Sequence, residues 1–333
     1  MAPLGIGIVG LGRIGWLHAQ HLLGPVDGAQ LVAAVVDPIE RKRLEASGSA
    51  PCPLVDDVAA LVARPDVDAV VIASPSHLHL AHIQIAAAAG KAIFSEKPLA
   101  DSVAGAERAA VAIDRAAVPF QIGFQRRYDP GYLHAHSLIG VGAIGEIEMF
   151  RGITCDRIPP VDFLRTSGGL FWDLAIHDFD AARFLVGDEI EAVHAVGSIR
   201  VEPELAAFDD IDYGVVLLRF AGNALGVVQT AWRAPYGYDI RAEVHGSAGK
   251  IITEVDEKFP TRLYDERGIV VQRHDQFVER FREAYLAELQ AFVDAVVAES
   301  TPQPGLHESL MAIHVSDAAT RSRREERWVS VSG

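Results

Sequence analysis

This chain is poor in cysteine and in positive charge, and it contains no long unbroken apolar run. Its 333 residues include two cysteines, Cys52 and Cys155. Two thiols so far apart make neither a disulfide framework nor a ligand-spaced metal set, and they fit a reducing compartment. Lys and Arg number 30 against 45 Asp and Glu, a net charge of −15. That balance argues against nucleic acid and acidic membrane surfaces as partners. No apolar stretch reaches the roughly eighteen residues that a membrane helix needs. The N-terminus lacks the basic region of a secretion signal, and a first strand claims its apolar residues. A cytoplasmic protein is expected. Repeats, low-complexity tracts and long linkers are also missing from the sequence.

What is there is the composition of an ordinary globular protein, half hydrophobic and 23% charged. The length suggests two domains, each able to bury its own core. From the start to residue 124, short apolar runs alternate with helical patterns. Gly5–Val9, Leu31–Val36, Ala69–Ala73, Ala92–Phe94 and Phe120–Phe124 read as strands. Ile39–Ser47, Asp56–Ala63, His79–Ala89 and Ser102–Ala117 read as the helices between them. Strands without a wet face, separated by helices, mean a parallel, doubly wound sheet. Ligands of such sheets bind beyond the carboxyl ends of the strands.

The first strand runs into Gly10-Leu11-Gly12-Arg13-Ile14-Gly15, followed by a helical stretch. This is a G-x-G-x-x-G turn. Its first glycine makes the bend, its second admits a pyrophosphate to the backbone, and its third lets helix and strand pack closely. The second strand ends at Asp37, at about the twenty-residue offset where an acid takes a ribose 2′-hydroxyl. These features predict an NAD-binding Rossmann domain over residues 1–124.

Residues 125–333 follow another grammar and predict an α+β domain for substrate binding and oligomerisation. After a helix near Gly131–Ile139, strands come without helices between them. Val215–Phe220 and Leu225–Thr230 are joined by Ala221-Gly222-Asn223, and Ile240–His245 and Lys250–Val255 by Gly246-Ser247-Ala248-Gly249. Both pairs read as hairpins of an open, mainly antiparallel sheet. Several of the strands are apolar on both faces. The helices Phe171–Leu185 and Glu279–Val297 are expected to cover one face, and a second subunit the other, in a homodimer or homotetramer. A helix near His307–Ala319 and a strand Trp328–Val331 close the chain.

Two clusters have the residue types for chemistry. Lys97, in Ser95-Glu96-Lys97-Pro98, follows a strand directly and so sits at a carboxyl end of the sheet, on the cofactor side; a lysine in an ordinary surface turn is the other reading of the same position. Asp173 and His177 are four apart and share a helix face beginning just after Gly168-Gly169; Asp180 continues the stripe. An Asp–His pair can bind a polyol hydroxyl and move its proton, with histidine, near neutral in its unperturbed pKa, as the acceptor. A solvated helix face with Asp173 at its N-terminal end is the plainer reading of the same pair. Ser74, Ser76 and His79 lie at a strand end and should border the cofactor. His77, His79 and His82 lack a Cys or carboxylate to complete a metal set, and no metal is expected. Arg127 begins the second domain and is a candidate substrate contact or a structural ion pair; Tyr236 lies in a turn between sheet strands. Nucleophile elbows, P-loops and zinc-protease helices are missing.

In order, the Gly10–Gly15 turn, Asp37, Glu96-Lys97-Pro98, Gly123-Phe124-Gln125-Arg126-Arg127-Tyr128 and the Gly168-Gly169…Asp173…His177 helix resemble the Gfo/Idh/MocA oxidoreductase family. The resemblance spans nearly the whole chain and is nearest to the inositol 2-dehydrogenase branch. It implies a Rossmann domain followed by an α/β domain with an open sheet, and NAD as cofactor. It implies cofactor contacts from Gly10, Gly12, Arg13, Ile14, Gly15, Asp37, Ser74, Ser76, His79, Glu96 and Lys97. Lys97 would hydrogen-bond the reacting oxygen, His177 would take the hydroxyl proton, and Asp173 would orient His177 or the sugar. Arg127, Asp156 and Tyr236 would contact other hydroxyls. One departure is Ser76, where many relatives carry asparagine. The family also contains nicotinamide-dependent glycoside hydrolases and non-catalytic sensors, so the resemblance leaves those alternatives beside a cyclic polyol or sugar dehydrogenase.

Overall fold

The computed structural model describes residues 2–254, 257–259, 261–266 and 268–331. The chain divides into two compact units, one of Met1–Gln125 with Glu283–Leu310, the other of Arg126–Arg282 with Met311–Gly333.

The first unit is built on strands β1 (Leu4–Val9), β2 (Ala29–Val35), β3 (Leu54–Val55), β4 (Ala69–Ile72), β5 (Ala92–Glu96) and β6 (Phe120–Gly123), and its helices are α1 (Arg13–Leu22), α2 (Pro38–Ser47), α3 (Val58–Val62), α4 (His79–Ala88) and α5 (Val103–Ala116). The six strands lie in the order β3-β2-β1-β4-β5-β6 and every neighbouring pair is parallel. The order reverses between β1 and β4, which is where a doubly wound sheet opens a crevice for a ligand. Helix boundaries follow local chemistry: Asp37, Asp57 and Ser102 cap α2, α3 and α5 through their side chains.

The second unit contains α6 (Pro130–Gly140), β7 (Ile147–Cys155), α7 (Val161–Leu164), a π-helical turn at Phe171–Ala175 that runs into α8 (Ile176–Val186), β8 (Ile190–Ser198), β9 (Tyr213–Phe220), β10 (Leu225–Ala231), β11 (Asp239–Gly246), β12 (Gly249–Glu254), β13 (Arg262–Asp265), β14 (Gly268–Val271) and the short helix α9 (Phe277–Arg280). Helix α10 (Arg282–Val297), helix α11 (Leu306–Glu325) and strand β15 (Val329–Ser330) complete the chain. The seven-stranded sheet runs β12-β11-β7-β10-β9-β8-β15. All its pairs are antiparallel except β7 with β10. Both hairpins read from the sequence are present, with Asn223 at φ 71° in the first. Val255 lies outside the described residues.

Helix α10 corrects one expectation. The sequence pattern places it over the second sheet, yet its Leu289, Phe292 and Val293 pack with Ile6, Ile8 and Phe94 in the core of the first unit. Those three residues form one stripe at i, i+3 and i+4, and the Phe94 and Phe292 rings meet edge to face at 5.8 Å. The periodicity foretold a buried stripe without saying which sheet would bury it. On the second sheet, Phe179, Ala182 and Leu185 of α8 cover one face, over Val216, Leu218 and Val228. The opposite face leaves Met149, Val196, Val215, Leu217, Leu225 and Ile252 exposed. Among the described residues no helix is long and apolar enough to cross a membrane.

Candidate active site

In the first unit, the glycine turn has the three properties that its spacing predicts. Gly10 has φ 95°, and a Cβ there would stand 2.7 Å from the Ala73 carbonyl oxygen. A Cβ on Gly15 would stand 1.9 Å from the Gly10 carbonyl oxygen, so helix and strand touch through bare backbone. A Cβ on Gly12 would meet nothing within 4 Å. Gly12 is also the N-cap of α1, without a side-chain cap and without an acid in the first turn. The open N–H groups and the helix dipole therefore suit a pyrophosphate, and the residues fit a dinucleotide. Arg13 is exposed beside Gly12, and Ile14 is half-buried.

Asp37 follows β2 on the same carboxyl edge of the sheet. Its Oδ1 accepts both cap bonds of α2, from the Ile39 amide at 2.9 Å and the Glu40 amide at 3.1 Å. Both cap bonds thus fall on one carboxylate oxygen. Arg41 and Arg43, which would soften a preference against phosphate if turned inward, are engaged elsewhere. Arg41 donates to the Val55 carbonyl, and Arg43 forks onto Glu40 at 2.5 and 2.8 Å.

Ser74 and Ser76 follow β4, and Lys97 follows β5, on that same edge. Lys97 is half-buried, and its peptide bond to Pro98 is cis. His79 is fully buried. Its Nδ1 lies 2.7 Å from the Pro98 carbonyl oxygen and its Nε2 2.8 Å from that of Ser74. Burial lowers its pKa from the ordinary imidazole value. The ring thus ties the loop after β4 to the turn after β5, and any effect of His79 on a cofactor passes through those loops. The Glu96 carboxylate also points into protein, 2.8 Å from His18 Nε2. Beside it stands Glu288, which sequence reasoning missed. His18, Glu96 and Glu288 are all buried, with ligand-type atoms within 4.8 Å of one another.

In the second unit, Gly168 and Gly169 take φ 86° and 97° and deliver the chain into the π turn. Asp210 Oδ1 accepts from the Leu170 amide at 3.1 Å at the start of that helix. From Leu170 to Arg183 every residue is buried except Asp173 and His177. That pattern decides between the two readings of the stripe: this is no solvated face, but a buried helix that leaves one acid and one imidazole half-open. Asp173 lies in the π turn and His177 in the first turn of α8. The widened i→i+5 turn carries no local sequence mark, and such turns recur at functional sites.

The neighbouring acids belong to the scaffold. Asp178 is buried with Arg126 at 2.7 Å, and Thr154 bonds to both. Asp180, assigned to the open stripe, is also buried. Arg127 donates to it through Nε at 2.9 Å and Nη2 at 2.8 Å, with its guanidinium 5.0 Å from the Phe184 ring centroid. Of the two roles open to Arg127, the structure displays the structural ion pair. Tyr236 is exposed, and its hydroxyl donates to Asp239 at 3.0 Å. Asp156 is half-buried and accepts from the Arg157 amide at 2.6 Å.

Residues 4–124 match the family model described as the NAD-binding Rossmann fold of an oxidoreductase family, and residues 136–331 match that family's C-terminal alpha/beta domain. Myo-inositol 2-dehydrogenase of Thermotoga maritima is 37% identical, with 98% of each chain covered. A scyllo-inositol 2-dehydrogenase (NAD(+)) of Bacillus subtilis is 36% identical, over 95% of this chain and 93% of the relative. Among solved structures, scyllo-inositol dehydrogenase of Lactobacillus casei with bound NAD(H) and scyllo-inositol superposes with a TM-score of 0.92 at 32% identity, over 99% of this chain and 100% of that one. With both halves matched in order and the glycine turn, Lys97 and the Asp173–His177 helix in place, the chain belongs to the Gfo/Idh/MocA oxidoreductase family.

Proposed function

We propose that this protein is an NAD-dependent dehydrogenase that oxidises a secondary hydroxyl of a cyclic polyol, of the inositol class, to the ketone. The observation that carries the chemistry is the pair Asp173 and His177, the two half-open residues in the otherwise buried stretch from Leu170 to Arg183. The substrate class rests on relatives named as inositol dehydrogenases that align over nearly the full chain.

When bound, NAD supplies the acceptor for the hydride that leaves the carbinol carbon. The chain's own groups handle the proton and the developing charge. A secondary alcohol does not ionise near neutral pH, so hydride departs readily only as its hydroxyl proton is removed. His177 takes that proton. Asp173 orients the imidazole or a neighbouring hydroxyl. Lys97 donates a hydrogen bond to the reacting oxygen and favours its alkoxide character. Residues 1–124 supply the cofactor contacts, Asp37 among them, and residues 125–333 supply substrate contacts and the assembly surface. Arg127, Asp156 and Tyr236 hold other hydroxyls, directly or through the pairs they make.

A second copy covers the exposed sheet face of Met149, Val215, Leu217 and Leu225, giving a homodimer or homotetramer. Sedimentation at micromolar concentration tests this; a particle of 35.9 kDa contradicts it. The two free cysteines support work in the reducing cytoplasm. The decisive test of function is NADH absorbance with a panel of inositol isomers and sugars. Net NADH formation with an inositol is expected, and its absence with every polyol overturns the proposal.

A further inference from the structure

Behind Lys97 lies the buried cluster of His18 on α1, Glu96 at the end of β5 and Glu288 on α10. Glu288 is 0% exposed, and among the described residues neither of its carboxyl oxygens has a hydrogen-bond partner. Its backbone is fixed, because Gln121 Nε2 on β6 donates to the Glu288 carbonyl at 2.9 Å. The Glu96 carboxylate is held by His18 and fits against bare backbone: a Cβ on Gly123, its partner across β6, would stand 3.0 Å from Oε2. Among the described residues, the other titratable or charged groups around the cluster include His21 on α1, whose ring centroid is 6.5 Å from that of His18, Tyr285 on α10 at 6.1 Å, His79 on α4, which feels the Glu96 charge, and Lys97 itself. Phe94 closes the apolar side, 5.3 Å from His18.

Two carboxylates this close and this deeply buried do not both stay charged. Burial, and next the Glu96 charge, hold the Glu288 carboxyl well above the usual carboxylate range. A metal ion is the rival occupant. Yet the 2.8 Å from His18 to Glu96 is a hydrogen-bond distance, shorter than the roughly 3.3 Å between two ligands of a tetrahedral zinc. We propose that Glu288, within 4.8 Å of the Glu96 carboxylate though not hydrogen-bonded to it in this structure, is a positioning residue: a neutral carboxylic acid that turns its proton to Glu96 and, with His18, fixes that carboxylate, so setting the direction in which Lys97, the next residue, presents its amine. The inference rests on Lys97 acting at the reacting oxygen.

The test compares Glu288→Gln with Glu288→Met in the full-length enzyme. Gln keeps a neutral donor toward Glu96, so E288Q should stay within about twofold of the wild-type kcat, with the same pH profile. Met fills the space without a donor. E288M should keep its Tm, since a buried polar group has been replaced by an apolar one, while kcat falls about tenfold and the KM for NAD stays within about twofold. Equal losses in both variants, or full kcat in E288M, overturn the proposal. An infrared difference spectrum, wild type minus E288Q, at neutral pH and without substrate should show a protonated carboxyl band. An unprotonated Glu288, or one equivalent of metal found by elemental analysis, overturns it as well. The spectrum needs no turnover. An active Lys97→Ala enzyme that keeps the band would thus remove the role of Lys97 and leave the state of Glu288 standing.

Discussion

Arg126 and Asp178 are buried together, Nη1 to Oδ1 at 2.7 Å, with Thr154 Oγ1 bonded to both. Asp178 is the residue after His177, so the pair pins the turn of α8 that carries the candidate base onto β7. Removing the cation leaves an uncompensated buried carboxylate. Arg126→Met should lower unfolding stability by about 3–5 kcal/mol. A denaturant titration that finds a change under about 1 kcal/mol would show the pair to be dispensable.

The glycine turn separates packing from binding. Gly15→Ala puts a methyl group 1.9 Å from a backbone oxygen that cannot yield without moving β1 or α1. It should cost about 1–3 kcal/mol of stability and lower NAD affinity with it. Gly12→Ala meets no atom of the described residues within 4 Å and should cost no more than about 1 kcal/mol. Its methyl group would still stand where the pyrophosphate approaches, so NAD binding should weaken about tenfold, or 1.4 kcal/mol. Calorimetric titration with NAD beside thermal melts distinguishes the two. Equal NAD affinity in Gly12→Ala and wild type would exclude the turn as the phosphate site.

What could be read from the sequence was whatever local chemistry marks. Glycines at fixed offsets, Asp37 at a strand end and Lys97 after Phe94-Ser95-Glu96 all sit where a parallel sheet must put them. The hairpins were legible because glycine and asparagine break the strands. Strand β7 was not, since Glu148, Met149 and Arg151 interrupt its apolar pattern while its buried half reads Gly152-Ile153-Thr154-Cys155. The partners of Arg126 and Arg127 are 52 and 53 residues away, and alternation of Asp178 with Asp180 on α8 says nothing about which acid takes which cation. The cluster around Glu288 is further still from any local pattern: it is assembled from α1, β5 and α10 by tertiary packing alone.

Asp37 should make the enzyme prefer NAD to NADP, since its carboxylate accepts from a ribose hydroxyl and repels a 2′-phosphate. Serine keeps the helix cap that Asp37 provides. Asp37→Ser should therefore fold as well as wild type, with the ratio of kcat/KM values for NAD over NADP reduced about tenfold, the scale of one charge-assisted hydrogen bond. A wild-type enzyme that uses NADP as well as NAD would refute the assignment.

Burial pushes both thiols, Cys52 and Cys155, up to about 11. Their thiolate fraction near pH 8 is then about one in a thousand, and a disulfide reagent should label the native protein slowly and the denatured protein fast. The sign for stability follows. A group whose folded pKa is raised contributes stability that is present below its unfolded pKa and is lost as pH rises through the folded value. Stability should accordingly decline between the ordinary thiol range and about pH 11, and Cys155→Ala should flatten part of that decline. Rapid labelling of both thiols at pH 8 in the native state would contradict their burial.

The chemical step makes the sharpest demand. Hydride transfer from a secondary alcohol needs a base for the hydroxyl proton and a donor where negative charge collects, and the two tasks fall to different elements. In the proposed mechanism His177 is assigned as the base, being the half-open imidazole on α8, one turn after Asp173. Lys97 is assigned as the donor in the same mechanism, leaving the carboxyl end of β5 half-buried between the Glu96 cluster and the turn tied by His79. Lys97→Ala and His177→Ala should each lower kcat by roughly 10² or more. Both should still bind NAD, since neither residue belongs to the phosphate turn. Protonated imidazole cannot accept the proton, so wild-type kcat should fall toward acid pH, and His177→Ala should lose that acid limb along with its rate. Asp173→Asn keeps the shape of the side chain without its charge and should fall between wild type and His177→Ala. Full kcat in His177→Ala with the acid limb intact would assign the proton to another group, and an unimpaired Lys97→Ala enzyme would remove the lysine from the reacting oxygen.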